Sequence, residues 1–415
     1  MFLYLRLLLK KNFFLIWIGQ IISQFGDKLT QIALVGLVSK ISNTSSTLAF
    51  SIAVTIVPAI LFSPFCGVYV DRWSKKKTMY ISDFIRAFFI FLIAQFFIKL
   101  NFLPIIYLFI FLSFSVGKFF VPAKMAFIPQ IVEKKDIFLA NSLISITATV
   151  AAILGIGLGG IIVERFGEIV AFFIDALTFL FSAFAILSIR QKETNQFAPL
   201  DLISIGKEAT KKIKSSFTKD LKEGLKYIIS SKETTYAVYA VLFLFICIGG
   251  LFPVFTKFIQ NSLGTITEDL GFVGVSIGVG IFLGSLIYAR VANNFSVQMA
   301  INLSLLLGSI YLIIFCILLK NFASSKLAIF LSLFLGLLIS PIFVGVNSLI
   351  HSKADNNFFG RVFSSLEFIS HFSLLISMFI FASLADIFSP FTIIIIIGII
   401  GILFATFLVF LTDKI

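Results

Sequence analysis

The sequence predicts an all-α membrane protein, twelve transmembrane helices in two six-helix bundles, and three observations lead there. Of 415 residues, 59% are hydrophobic and 13% charged, with a mean hydropathy of +1.08, far more apolar than a soluble domain's core requires. Apolar stretches recur at a length of about 20 residues, which is what a helix needs to cross a hydrocarbon layer roughly 30 Å thick. One long polar segment, Gln191 to Lys232, divides those stretches six and six. The alternating ten-residue strands of an outer-membrane barrel are not seen in the sequence.

Taken in order, spans are expected at 13–39, 47–70, 78–98, 103–122, 138–163 and 168–189 in the first half. The second half should hold spans at 234–257, 269–289, 297–319, 326–350, 362–385 and 389–411. Residues 1–190 then form an N-terminal six-helix bundle, 191–233 a cytoplasmic basic linker and 234–415 a C-terminal six-helix bundle. In the linker, Phe217, Leu221, Leu225 and Ile228 recur at helical spacing among lysines. That pattern suits either an amphipathic helix on the inner membrane surface or a tether with a solvated basic face.

The net charge of +13 comes from basic residues between apolar runs and not from a single stripe, so nucleic acid is not an expected partner. These residues orient the chain. With both ends cytoplasmic, Lys and Arg fall on inner segments about four times as often as on outer ones, the outer ones being Lys40, Lys99, Arg165, Lys257, Lys320 and Lys326. Cys66, Cys247 and Cys316 all lie inside apolar runs without ligand spacing, so neither a disulfide framework nor a metal site is expected. No cleavable signal peptide is read at the N-terminus. With two histidines, His351 and His371, and no phosphate-binding Gly-x-x-x-x-Gly-Lys-Ser/Thr loop, an enzyme and the direct use of ATP are both disfavoured, and no cofactor is expected.

Charges inside spans cost roughly 2.5 to 3.5 kcal/mol each on insertion scales, so each needs a partner or a use. Asp27 lies near the middle of span one. At 100° per residue Gln20, Gln24, Asp27 and Gln31 fall within about 60° of one another, a polar stripe expected to face a central cavity. Asp27 is read as the carrier of a coupling proton or the contact for a cationic substrate; the competing reading is an internal pair with Lys28 or a base of another span. Asp83 and Arg86 share one face of span three, and with Lys118 of span four and Asp71 of the turn before span three they form a candidate gating latch, or a set of structural pairs. Glu367 and His371 of span eleven are one turn apart and can touch, a pair that would titrate across physiological pH. Asp175 is expected to hydrogen-bond between helices, and Asp386 to lie in an outer loop. The 54 Phe residues carry no substrate information.

The turn between spans two and three reads Gly67-Val-Tyr-Val-Asp71-Arg72-Trp-Ser-Lys75-Lys76-Lys77. It resembles the signature of the major facilitator superfamily, Gly-x-x-x-Asp-Arg-x-Gly-Arg/Lys-Arg/Lys, at Gly67, Asp71, Arg72, Lys75 and Lys76, with Ser74 in place of the usual glycine. Gln24-Phe-Gly26-Asp27, Ser82-Asp83-Phe-Ile-Arg86-Ala87, Pro122-Ala123-Lys124-Met-Ala126-Phe-Ile-Pro129, Ala140-Asn141-Ser142 and Asp220-Leu-Lys-Glu-Gly224-Leu-Lys-Tyr extend the likeness. Together they are similar to the bacterial drug-efflux branch that includes macrolide exporters, the enterobactin exporter and the lysophospholipid transporter. In span five, Leu154 to Gly160 carries Ile156 where antiporters of the superfamily often have proline. Its glycines read as tight packing on a neighbouring span. The counterpart of the turn after span eight, Gly284 to Arg290, has no acid, so gating is assigned to the first half.

The resemblance implies a secondary active transporter of the bacterial inner membrane, both termini cytoplasmic, that exports amphipathic small molecules in exchange for protons by alternating access. A lysophospholipid flippase or siderophore exporter on the same fold is the alternative. The implied partners are a small amphipathic substrate, protons and membrane lipid, and the implied state is a monomer.

Overall fold

A computed structural model describes residues 2–97, 102–190, 232–291, 295–353 and 359–412, and among them every regular element is helical. The first half holds α1 (Phe2–Leu8), α2 (Lys11–Ile41), α3 (Ser45–Arg72), α4 (Lys75–Leu92), α5 (Leu103–Ile131), α6 (Ile137–Phe166) and α7 (Glu168–Leu187). The second holds α8 (Lys232–Leu263), α9 (Glu268–Val291), α10 (Val297–Asn321), α11 (Ser325–Lys353), α12 (Phe359–Phe388) and α13 (Pro390–Thr412). Apart from the short α1, each half thus contributes six long helices, as expected for two six-helix bundles.

Eleven of these helices are long and apolar enough to cross a membrane. The exception is α2, whose 31 residues are ample in length but whose Gln20, Gln24, Asp27, Lys28 and Gln31 lower its mean hydropathy. The polar stripe that makes this helix interesting is what makes it a weak span by composition. Several boundaries differ from expectation by a few residues, and two of the differences change how named residues are read. Helix α5 continues through Pro122 and Pro129 to Ile131, since neighbouring helices and local adjustment can satisfy the carbonyls that a proline frees within a membrane. Helix α12 runs to Phe388, so Asp386 belongs to its last turn and not to a loop. The amphipathic stretch of the linker lies outside the described residues.

Contacts divide the chain into two units, Met1–Lys40 with Ser51–Ser215 and Ile41–Phe50 with Ser216–Ile415. In the first unit α4 packs on α5 and α7; in the second, α8 packs on α12, α9 on α11, and α10 on both α11 and α13. Outward-facing Phe88, Phe282 and Phe410 are exposed, as suits helices whose surroundings are lipid. Ser74, in the place of the family's glycine, is the N-cap of α4: its side chain accepts from the Lys77 backbone N–H, satisfying a donor that the helix start leaves open.

Span five does pack tightly. A Cβ on Gly155 would lie 2.7 Å from Lys28 Cβ and 2.9 Å from the Phe25 carbonyl oxygen, so α6 reaches the backbone of α2 only without a side chain there. Gly155→Leu should therefore lower stability by about 1–3 kcal/mol or more through overpacking, read as a lower Tm in detergent with the helix content of the folded protein unchanged.

At one end of this unit Lys10 Nζ bridges Glu133 (2.9 Å) and Asp136 (2.8 Å), tying the α1–α2 turn to the α5–α6 connection. Hydrogen bonds from Lys135 and then Lys10 hold the Glu133 carboxyl down at about 2, from 4.5. Because the folded value is the lower one, the stabilisation is complete above about pH 4.5 and is lost as pH falls toward 2. The difference in Tm between wild type and Glu133→Gln should thus be constant from neutral pH to about 4.5, narrow on further acidification, and shrink with added salt because the pair is exposed.

Candidate functional site

The first unit buries a group of charged side chains where α2, α4, α5 and α7 approach. Arg86 is its centre. Its guanidinium donates from Nη2 to Asp27 Oδ1 of α2, lies 3.9 Å over the Phe179 ring of α7, and passes the α5 backbone at Gly117, where a Cβ would meet Arg86 Cζ at 3.1 Å. Arg86 Nη1 is 4.0 Å from Asp83 Oδ1, one turn back on α4. Asp83 is fully buried. Its Oδ2 accepts from Ser182 Oγ of α7 at 2.6 Å, and its Oδ1 has no hydrogen-bond donor among the described residues.

Exposure separates the two acids that share this cation. The Asp27 side chain keeps 25% of its surface open, against 1% for Asp83 and 7% for Arg86. One guanidinium therefore faces two carboxylates, one reachable and one sealed. At an effective dielectric near 20, a charge pair at about 4 Å is worth on the order of 4 kcal/mol, so the charge state of Asp27 weighs on which of the two acids Arg86 favours. Such an arrangement can bind and release one positive charge.

The other residues singled out in the sequence fall as follows. Gln20 is buried, while Gln24, Asp27 and Gln31 are half-buried along α2. Lys28 donates to Gln31 Oε1 at 3.0 Å and not to the neighbouring Asp27, because residues i and i+1 of a helix point about 100° apart. Lys118 of α5 is half-buried and lies within electrostatic reach of Asp27 and Arg86. Asp83 and Arg86 thus turn toward α2 and α7. In the turn before α4, Lys76 donates to the Ile189 carbonyl beyond α7 at 2.7 Å, and Lys75 to the Trp73 carbonyl at 3.0 Å. Trp73 stacks on Phe119 at 5.8 Å. The positions of the Gly67, Asp71, Arg72 and Glu367 side chains lie outside the described residues. His371 is half-buried on α12, its ring 6.0 Å from Phe245 of α8.

Sequence reasoning passed over two participants. Ser182, which binds Asp83, gave no signal beyond being a hydroxyl in an apolar span. Asp175 was noticed for its hydrogen bonding but not placed beside Asp27: a Cβ on Gly26 would collide with its Oδ1 and with Thr178 Oγ1. No group of three or more potential metal ligands occurs among the described residues.

Removing Arg86 strands both acids. Arg86→Gln should cost about 3–5 kcal/mol, the usual penalty for breaking a buried pair from one side, and combining it with Asp27→Asn and Asp83→Asn should recover most of that loss. Thermal unfolding of the single, double and triple variants checks this, and additive losses would be inconsistent with a shared cation.

Comparison with known proteins fits this architecture. The Major Facilitator Superfamily sequence profile matches residues 16–365. The chain is 27% identical over 363 residues to the putative bacilysin exporter BacE of Bacillus subtilis (86% of this chain, 85% of that one). It is 29% identical over 362 residues to the multi-drug resistance efflux pump PmrA of Streptococcus pneumoniae (86% and 84%), and 23% identical over 390 residues to macrolide efflux protein A of Streptococcus pyogenes (91% and 90%). Among solved structures, a POT family transporter bound to a thioalcohol-conjugated peptide superposes with a TM-score of 0.67 at 12% identity, covering 97% of this chain and 96% of its own. Tetrameric PepTSo2 does so at 0.69 and 14%, covering 97% and 98%; at these identities the likeness concerns fold alone. The chain is a multi-pass membrane transporter, not an enzyme, and belongs to the Major Facilitator Superfamily.

Proposed function

We propose that this transporter exports amphipathic, cationic small molecules across the bacterial inner membrane in exchange for protons, with Asp27 as the group for which proton and substrate compete. The observation that carries the reading is the half-open Asp27 carboxylate held by a buried arginine that has a second acid in reach. Relatives named as exporters of bacilysin, of multiple drugs and of macrolides support the direction and the breadth of cargo. The inside-rich lysines and arginines support cytoplasmic termini.

The steps follow from the geometry. With Asp27 ionised, Arg86 is engaged and the acid presents its exposed edge to a cation. A proton arriving at that edge neutralises Asp27, lowers its hold on the substrate, and lets the guanidinium move the short distance to Asp83 Oδ1. The change in helix contacts at α2, α4 and α7 is the event that biases alternating access of the two six-helix units, working as a monomer.

Proteoliposomes loaded with ethidium test the reading. An imposed pH gradient should drive ethidium movement by the wild type, and Asp27→Asn should reduce the gradient-driven rate on the order of tenfold or more, measured on folded protein of wild-type helix content whose Tm is lowered by loss of the Arg86 pair. Unchanged gradient-driven transport in Asp27→Asn would remove this acid from the coupling. Movement of fluorescent lysophospholipid without any pH gradient, and none of ethidium, would replace drug export by lipid transfer.

A further inference from the structure

We propose that Asp175 is a second proton-binding residue of the transport cycle, exchanging its proton along the Gly26–Thr30 face of α2. The proposal deepens the reading of Asp27 given above and rests on it.

Asp175 has hydroxyl partners but, among the described residues, no cation of its own. Its side chain is fully buried. Thr30 Oγ1 lies 2.5 Å from Oδ2 and Thr178 Oγ1 lies 3.0 Å from Oδ1. Thr178 Oγ1 is also 2.7 Å from the Asp175 main-chain carbonyl, the shorter contact and the common back-bond of a helical threonine. A hydroxyl has one hydrogen and two lone pairs. That one hydrogen can be given to Oδ1 or to the carbonyl, and when the carbonyl takes it Oδ1 has no donor from Thr178. Among the described residues the carboxyl is thus served by two hydroxyls at most and by no cation, and an acid buried ionised without one costs far more than the neutral form, which favours the protonated carboxyl.

The surrounding charges agree. Asp175 forms no ion pair among the described residues. The charges that reach it are Asp27 of α2 and Arg86 of α4, the latter already engaged by Asp27; Lys28 lies instead against Gly155 of α6 and binds Gln31, and Asp83 shares Arg86. The π-helical turn Ile93–Phe97 brings no ionisable group. On α6 the ionisable residues are Glu164 and Arg165 in its last turn, and on α7 itself Glu168 in the first turn, paired with Lys40. A third carboxylate would have no cation of its own.

Exchange has a path on α2. The carboxyl rests against Gly26, the residue before Asp27, in space that any Cβ would occupy. Thr30 is one turn further on, on the face it shares with Asp27. A proton reaching the open edge of Asp27 has one hydroxyl to pass on its way to Asp175, and it leaves by the reverse path when Arg86 swings away from Asp27 and toward the sealed acids. No bond other than O–H is made or broken.

The test is proton release from purified protein in weakly buffered detergent on addition of ethidium, with gradient-driven ethidium exchange in proteoliposomes as its partner. Asp175→Asn mimics the neutral acid and should bind ethidium within about threefold of wild type, yet release about half as many protons and exchange ethidium on the order of tenfold more slowly. Asp175→Glu should restore part of both. Wild-type proton release and exchange in Asp175→Asn would make the carboxyl structural only and overturn the proposal. If Asp27→Asn abolishes release while Asp175→Asn does not, the second site fails and the first reading stands; the opposite pattern sinks the Asp27 reading and leaves Asp175 as the proton site. Should Asp175→Asn not fold, Thr178→Val gives a separate readout. It removes the hydroxyl beside Oδ1 and keeps the acid, so the infrared C=O band of the protonated carboxyl should shift, and an unmoved or missing band overturns the proposal.

Discussion

Burial of a single guanidinium constrains the first unit. Arg86 is held by an acid on α2 and by a ring face on α7, with the α5 backbone alongside at Gly117. Desolvating such a charge costs several kcal/mol, which is recovered only if its partners stay in place. The consequence is mutual: α2, α5 and α7 cannot drift from α4 without exposing the charge or stranding an acid. Phe179 contributes without bringing a compensating charge, since the face of a ring attracts a cation more strongly once both are dry. The site is stable with Arg86 on Asp27, and the distance to Asp83 leaves it a second position.

Helices in lipid gain nothing from hydrophobic burial against one another, so small residues and hydroxyls must bring them together. The region around Arg86 follows this rule. Ser182 reaches Asp83, Thr30 reaches Asp175, and α6 meets α2 at Gly155. Each of these contacts also orients an ionisable group, so packing and chemistry depend on the same atoms. A hydroxyl at position 182 supplies Asp83 with the one donor it has besides the distant guanidinium.

Much of the fold could be read from apolar run length, because a helix that must cross hydrocarbon leaves little freedom in its composition. The parts that could not are those where tertiary contacts override a local signal. Pro122 looks like a helix end, yet α5 passes through it; Asp386 looks like a loop residue, yet it closes α12 with both oxygens accepting from the Ser45 and Ser46 backbone N–H groups. In the site, the polar stripe of α2 was visible from 3.6-residue periodicity, and so was the shared face of Asp83 and Arg86. That Arg86 serves Asp27 was not, since pairing between spans depends on depth and rotation, which no single helix encodes. The pairing of Asp175 with Thr178 is a three-residue spacing and legible; its bond to Thr30 requires knowing that Gly26 lets the two backbones meet.

The interior of the second unit is organised by contacts of another kind. Tyr236 donates to Asn302 Oδ1 at 2.7 Å and approaches the Gln298 carbonyl at 3.1 Å, Phe243 stacks on Phe404 at 4.0 Å, and His371 faces a phenylalanine ring. The end of α9, where a duplicate of the basic turn would stand, has Arg290 and no acid. A buried charge carries a desolvation cost that its partners must offset. The neutral contacts of Tyr236, Asn302, Phe243 and Phe404 carry no such cost and can rearrange without stranding a charge. The contacts named in the two units thus differ in kind: around Arg86 four helices shield a shared charge, while Tyr236 with Asn302 and Phe243 with Phe404 meet through a hydroxyl and ring faces.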